Sequence, residues 1–234
     1  MNTYILTYVF NCANMCVRTY VLFHFKEFMK VICLSNFKGG AGKTTLAGHL
    51  AVQAGLSGYG EVVLIDTDPQ ASLTDWWNLR KADTPRYKKV ELAELTKDLA
   101  DLKEAGIKLV VIDTPPAVSE TIRAVVEVAD LVIIPCRPSP HDFRAVSSTV
   151  ELVDGLKKPF IFVMNGAAVR AKITADTAYA LAQYGKVAPV TVFQRTDFAQ
   201  AMIDGRTAQE LDSQSRSANE MAELWQYVRK QLRT

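Results

Sequence analysis

Little in this chain is set up for covalent or multi-ligand metal chemistry. Its 234 residues include only four cysteines and three histidines. Cys33 and Cys136 lie inside apolar runs, where a thiol behaves as a small hydrophobe. Cys12 and Cys16 are four apart, but no second pair or nearby histidine completes a zinc set. Free, reduced thiols are expected, which suits a cytoplasmic protein. His24, His49 and His141 lack the spacing of a metal or acid–base set, and no nucleophile constellation competes. An excess of charge is also missing: 27 Lys and Arg against 25 Asp and Glu leave a formal charge of +2. Any contact with DNA would therefore need a local basic patch. Glycine and proline are too scarce for a disordered chain, and 49% apolar residues make the composition globular.

A long uninterrupted apolar run is absent as well. Residues 1–28 are aromatic and apolar, but Asn11, Asn14 and Arg18 break what would be a membrane span, and no small-residue cleavage site follows. Residues 1–28 are read as an N-terminal extension ahead of a natural start at Met29, with a membrane anchor as the alternative. Residues 29–234 are read as one domain.

What is present is a rhythm of short apolar runs: Val31–Leu34, Val62–Ile65, Leu109–Ile112, Leu131–Ile134, Phe160–Met164 and Val187–Phe193. Runs of this length suit parallel strands buried on both faces. Between them lie segments of helical spacing, among them Thr44–Ala54, Glu91–Glu104, Ser119–Val128, Asp142–Leu156 and Thr174–Tyr184. A last one, Ser217–Leu232, carries an apolar stripe of Met221, Leu224, Trp225, Val228 and Leu232 that suits docking on the sheet. Strand and helix alternate, so an α/β fold follows, with ligands bound beyond the carboxyl ends of the strands.

The first run leads into Lys38-Gly39-Gly40-Ala41-Gly42-Lys43-Thr44-Thr45 and then a helix. A glycine-rich turn lets backbone N–H groups converge on an anion, and the helix end behind it adds partial positive charge. Lys43 would reach the β- and γ-phosphates, and the Thr44 hydroxyl would ligate Mg²⁺. The ordinary pattern wants a glycine where Phe37 stands, and a lysine, Lys38, opens the loop instead. Two further runs end in carboxylates, at Asp66-Thr67-Asp68-Pro69-Gln70 and at Asp113-Thr114-Pro115-Pro116. Mg²⁺ takes one or two carboxylates along with phosphate oxygens and waters.

This loop resembles the deviant Walker A motif of the ParA/MinD ATPases, and from Met29 onward the segments are similar to the small, ParF-like ParA type. The resemblance implies an α/β P-loop NTPase with a mostly parallel twisted sheet of about seven or eight strands and helices on both faces. It implies ATP and Mg²⁺ as cofactors, bound by residues 38–45 (Gly39, Gly40, Ala41 and Gly42 by their amides). Thr44, Asp66 and Asp113 serve the metal in that comparison, and Asp68 orients the attacking water. Lys38 reaches across a dimer to the partner's nucleotide, and Asn165 stands where related ATPases read adenine. The segment Pro135–Phe143 resembles a proline-rich loop, whose prolines would stop the fifth strand.

By the same resemblance the chain would dimerise on ATP and bind DNA nonspecifically, with Arg195 and Arg216 in segments similar to the DNA-binding ones. A separate centromere-binding adaptor, ParB- or ParG-like, would stimulate hydrolysis to move a plasmid or other cargo. The expected location is cytoplasmic and nucleoid-associated. The alternative is a MinD-like membrane-cycling or cargo-positioning ATPase. A biosynthetic P-loop synthetase lacks the lysine-first loop joined to Asp-Pro-Gln, and an iron–sulfur reductase needs a cysteine pair that Cys33 and Cys136 do not resemble.

Overall fold

The computed structural model describes residues 28–116 and 119–233, and their side chains apart from those of 140–145. Residues 1–27, nearly all of the expected extension, lie outside the described residues, with Cys12, Cys16 and His24.

Seven strands form one parallel sheet: β1 (Lys30–Leu34), β2 (Val62–Asp66), β3 (Arg86–Tyr87), β4 (Leu109–Asp113), β5 (Leu131–Cys136), β6 (Phe160–Ala167) and β7 (Lys186–Phe193). Their order is β3-β2-β4-β1-β5-β6-β7. The expected α/β P-loop fold is thus present, and each anticipated run is a strand. The two-residue β3 was not anticipated. It pairs only along β2, at the sheet edge, so it carries no run of buried side chains.

Alternation explains why the runs are uninterrupted. In β1, Ile32 and Leu34 point into one core and Val31 and Cys33 into the other, all at most 5% exposed. Each face is then covered by helices, as a parallel sheet requires. α1 (Lys43–Leu56), α2 (Ser72–Asn78), α7 (Thr196–Met202), α8 (Ala208–Leu211) and α9 (Arg216–Gln231) serve the first core. α3 (Leu95–Glu104), α4 (Glu120–Val128), α5 (Pro140–Gly155) and α6 (Lys172–Leu181) serve the second. The apolar stripe of α9 is fully spent inside: Met221, Leu224, Trp225, Val228 and Leu232 are all 5% exposed or less. Among the described residues no helix is long and apolar enough to cross a membrane.

The prolines behave differently from expectation. β5 does not stop at them but runs through Pro135 to Cys136. Pairing of β5 with β1 ends at Ile133, so that neighbour asks no ladder bond of Pro135. Pro140 instead opens α5, where its missing N–H is no loss.

β1 is flanked by β4 on one side and β5 on the other, and the chain turns to opposite halves of the sheet from this point. That is the switch point at which open α/β sheets leave a crevice beyond their strand tips.

Candidate active site

The loop between β1 and α1 occupies that crevice. Gly42 stands at the helix N-cap with φ 93°, and no side chain caps the first turn, which also holds no acidic residue. Free amides and the positive helix end are therefore turned toward the crevice. Gly42 has a second reason to be glycine: an added Cβ would lie 2.1 Å from Asn165 Nδ2. Asn165 is 8% exposed and donates from Nδ2 to the Ala41 carbonyl at 2.7 Å. It therefore braces the loop from within β6, which continues two residues past it to Ala167.

Lys43 is 7% exposed, and its Nζ donates to the Asn36 carbonyl at 3.1 Å. Burial lowers its pKa, while Asp113 and Asp68 pull the other way and help keep the ammonium charged. Asn36 was not anticipated, and it holds the loop's base. Its Nδ2 donates to Pro135 O at 2.7 Å, and its Oδ1 accepts the Lys38 amide at 2.9 Å. Lys38 itself is half-buried at the loop's start and does not line the cleft of its own chain.

Across the crevice stand the acidic strand tips. Asp66 of β2 and Asp113 of β4 are register partners. Thr44 donates its hydroxyl to Asp113 Oδ2 at 2.5 Å, and the Thr114 amide donates to Asp113 Oδ1 at 3.1 Å. Asp113 is 1% exposed, and burial lifts its pKa to about 7 against the bond from Thr44; Asp66 and Asp68 add to the rise. Asp66 is committed to its own loop: Oδ1 accepts the Asp68 amide at 3.0 Å, and Oδ2 accepts the Thr74 amide at 2.9 Å and the Thr74 hydroxyl at 3.1 Å. It fixes the segment that carries Asp68, whose side chain lines the cleft.

The cleft holds about 720 Å³ and continues past Gly42, Thr44 and Thr45 to Val192, Phe193, Gln194, Arg195, Phe198 and Met202. One wall is thus amide and charge, the other apolar and aromatic. Arg195 sits on that second wall and is ion-paired with Glu220 of α9, with side chains 19% and 12% exposed. Its charge is turned inward rather than to open solvent. Arg216 is exposed at the start of α9.

A magnesium ion fits these residues. Thr44 and Asp113 offer two hard oxygens in mutual contact, and a buried carboxyl lifted to about 7 is one that a cation would return to its charged form. Among the described residues there is no group of three or more His, Cys, Asp or Glu that could hold a metal unaided, so phosphate oxygens and water would complete the shell.

A parallel sheet that turns at β1 and presents an uncapped, glycine-led helix end there is the architecture of a P-loop NTPase. A family model described as AAA domain matches residues 29–105. Maintenance of carboxysome distribution protein A of Halothiobacillus neapolitanus is 30% identical over 198 residues, 80% of this chain and 90% of that protein. A structure of Cyanothece McdA in complex with ATP aligns with a TM-score of 0.72 at 20% identity, over 88% of this chain and 97% of that one. The septum site-determining protein MinD of Pyrococcus horikoshii, complexed with Mg-ADP, aligns with a TM-score of 0.72 at 16% identity, over 86% and 96% of the two chains. The chain belongs to the ParA/MinD family of ATPases.

Proposed function

We propose that residues 29–234 form one ATPase domain that hydrolyses ATP with Mg²⁺ to distribute a cargo, a plasmid or a protein body, over the nucleoid. The observation that carries this reading is the uncapped α1 terminus with Lys43 beneath it and the Thr44–Asp113 pair beside it. Residues 38–45 bind the phosphates through their amides and Lys43. Thr44 and Asp113 would hold the metal, while Asp66 sets the acidic loop, and Asp68 orients water at the cleft wall. A metal held there would supply positive charge against that developing on the phosphates.

ATP then joins two copies, with Lys38 of each neutralising phosphate charge in the other. The dimer binds DNA nonspecifically; Arg216 is the exposed candidate contact, since Arg195 is paired with Glu220. A centromere-binding adaptor of ParB or ParG type, or its counterpart on a protein cargo, stimulates hydrolysis and releases the DNA. The carboxysome relative supports a cargo-distributing role as much as plasmid partition. The burial of the α9 stripe speaks against membrane cycling through that helix. A cytoplasmic, nucleoid-associated protein is the corresponding location.

Co-sedimentation with plasmid DNA and, separately, with anionic vesicles, each with and without Mg-ATP, tests the proposal. ATP-dependent pelleting with DNA alone is expected, at stated salt. Pelleting with vesicles alone, or DNA binding indifferent to ATP, would overturn it.

A further inference from the structure

Glu220 lies on α9, yet its carboxylate is aimed at the exit of β7. Oε2 accepts the Phe193 amide at 3.1 Å, and Oε1 accepts Arg195 Nε at 2.9 Å and an Arg195 terminal nitrogen at 2.5 Å. The Arg195 guanidinium also lies 5.5 Å from the Phe193 ring centroid. One carboxylate thus fixes both the backbone and the cation of the three-residue stretch Phe193-Gln194-Arg195. All three residues line the cleft; Glu220 does not.

The position of this wall says which part of a ligand it would meet. The amide cradle and Asp113 belong to β1 and its neighbour β4, whereas β7 is three strand spacings from β1 on the opposite side. At about 4.8 Å per spacing that is about 14 Å, the scale of an extended nucleoside triphosphate. With phosphates in the cradle, the other end falls against the β7 exit. The wall there is apolar and aromatic around Val192, Phe193 and Phe198, which suits a flat ring rather than an anion. Arg195 would be a poor choice beside a base if its charge were free, because it would draw phosphate instead. Pairing with Glu220 removes that competition and holds the guanidinium plane still.

We propose that Glu220 is a positioning residue for the nucleobase end of the cleft: from α9 it holds Arg195 and the Phe193 backbone in the geometry that distinguishes a nucleoside triphosphate from a bare polyphosphate. The inference rests on the nucleotide reading of the cleft given above. It also ties α9, and through Trp225 the α1 helix behind the phosphate loop, to the base side of the same ligand. Trp225 makes that link by donating from Nε1 at 2.7 Å to Oγ of Ser57, the C-cap of α1.

Calorimetric titration of the full chain with Mg-ATP and with Mg-tripolyphosphate separates the two readings. In Glu220→Gln and in Arg195→Gln, ATP affinity should fall about tenfold, the scale of one charge-assisted hydrogen bond, while tripolyphosphate affinity stays unchanged. The double variant should be no weaker than the weaker single one, because the two residues act as a unit. Arg195→Gln leaves the Phe193 amide its acceptor and carries the test alone if Glu220→Gln does not fold. Equal losses for both ligands, no loss for ATP, or losses that multiply in the double variant would overturn the inference. A wild-type chain that binds neither ligand would overturn the nucleotide reading itself.

Discussion

The Thr44 hydroxyl and Asp113 Oδ2 stand 2.5 Å apart, joining the first turn of α1 to the tip of β4. The contact couples the phosphate loop to a carboxylate that is otherwise sealed from solvent. Asp113→Asn keeps a similar shape but removes the charge that a divalent ion needs. Steady-state ATP turnover should fall about 100- to 1,000-fold, the usual loss when one preorganised electrostatic group is removed. Turnover within a few-fold of wild type would remove Asp113 from the metal site.

Gly42→Ala tests the loop's geometry. The substitution meets a left-handed φ of 93° and the Asn165 amide at once. The backbone cost alone is roughly 1–2 kcal/mol, so ATP affinity should drop by about five- to thirtyfold from that source. Shortening the neighbour in Gly42→Ala/Asn165→Ala relieves the collision but not the φ, and only part of the affinity should return. Calorimetric titration reads both.

His49 supplies a pH dependence of stability. Its Nε2 accepts the Ala208 amide at 3.1 Å, so Nδ1 carries the proton toward the Thr45 carbonyl at 2.7 Å. Burial lowers its pKa from 6.5 to about 4. Between these values the unfolded chain binds more protons than the folded one. Stability conferred by neutral His49 is therefore complete above about pH 6.5 and is lost as pH falls toward 4, by roughly 3 kcal/mol. Urea unfolding across this range should show the decline in wild type and a shallower one in His49→Gln.

Arg80 is a structural counterpart. Its side chain is 2% exposed and makes a two-pronged pair with Glu210 at 2.8 and 3.0 Å, besides donating to the Gly205 and Thr84 carbonyls. Arg80→Leu would strand Glu210, which also completes the capping box of α8. A loss of about 3–5 kcal/mol in urea unfolding is expected. Glu210→Gln should cost less, since its carbonyl oxygen, placed where Oε2 now sits, can still accept from Arg80 and the Thr207 amide.

The buried strands were legible because residues sealed on both faces leave apolar runs in the sequence, as in Val62–Ile65 and Leu109–Ile112. The phosphate loop and its acidic strand tips were legible because their chemistry is local: glycines, lysines and carboxylates stand within a few residues of a strand end. α2, α7 and α8 escaped notice because they run seven residues or fewer, too short for a helical period to register. The supports of the site were hidden for another reason. Asn36 reaches Pro135 across 99 positions, and Glu220 reaches Phe193 across 27, so neither partnership leaves a pattern in the sequence. Arg195 stands in a segment that resembles a DNA-binding one, and nothing local in the sequence shows that Glu220 holds it.

The most direct measurement is calorimetric titration of Mg-ATP into wild type and Lys43→Ala. Lys43 is buried under the loop, where its ammonium donates to the Asn36 carbonyl beneath the phosphate cradle. Wild type should bind with a dissociation constant in the micromolar range, and Lys43→Ala should bind at least about 100-fold more weakly. Equal binding by the two proteins, or none by wild type, would contradict a nucleotide seated on the α1 terminus.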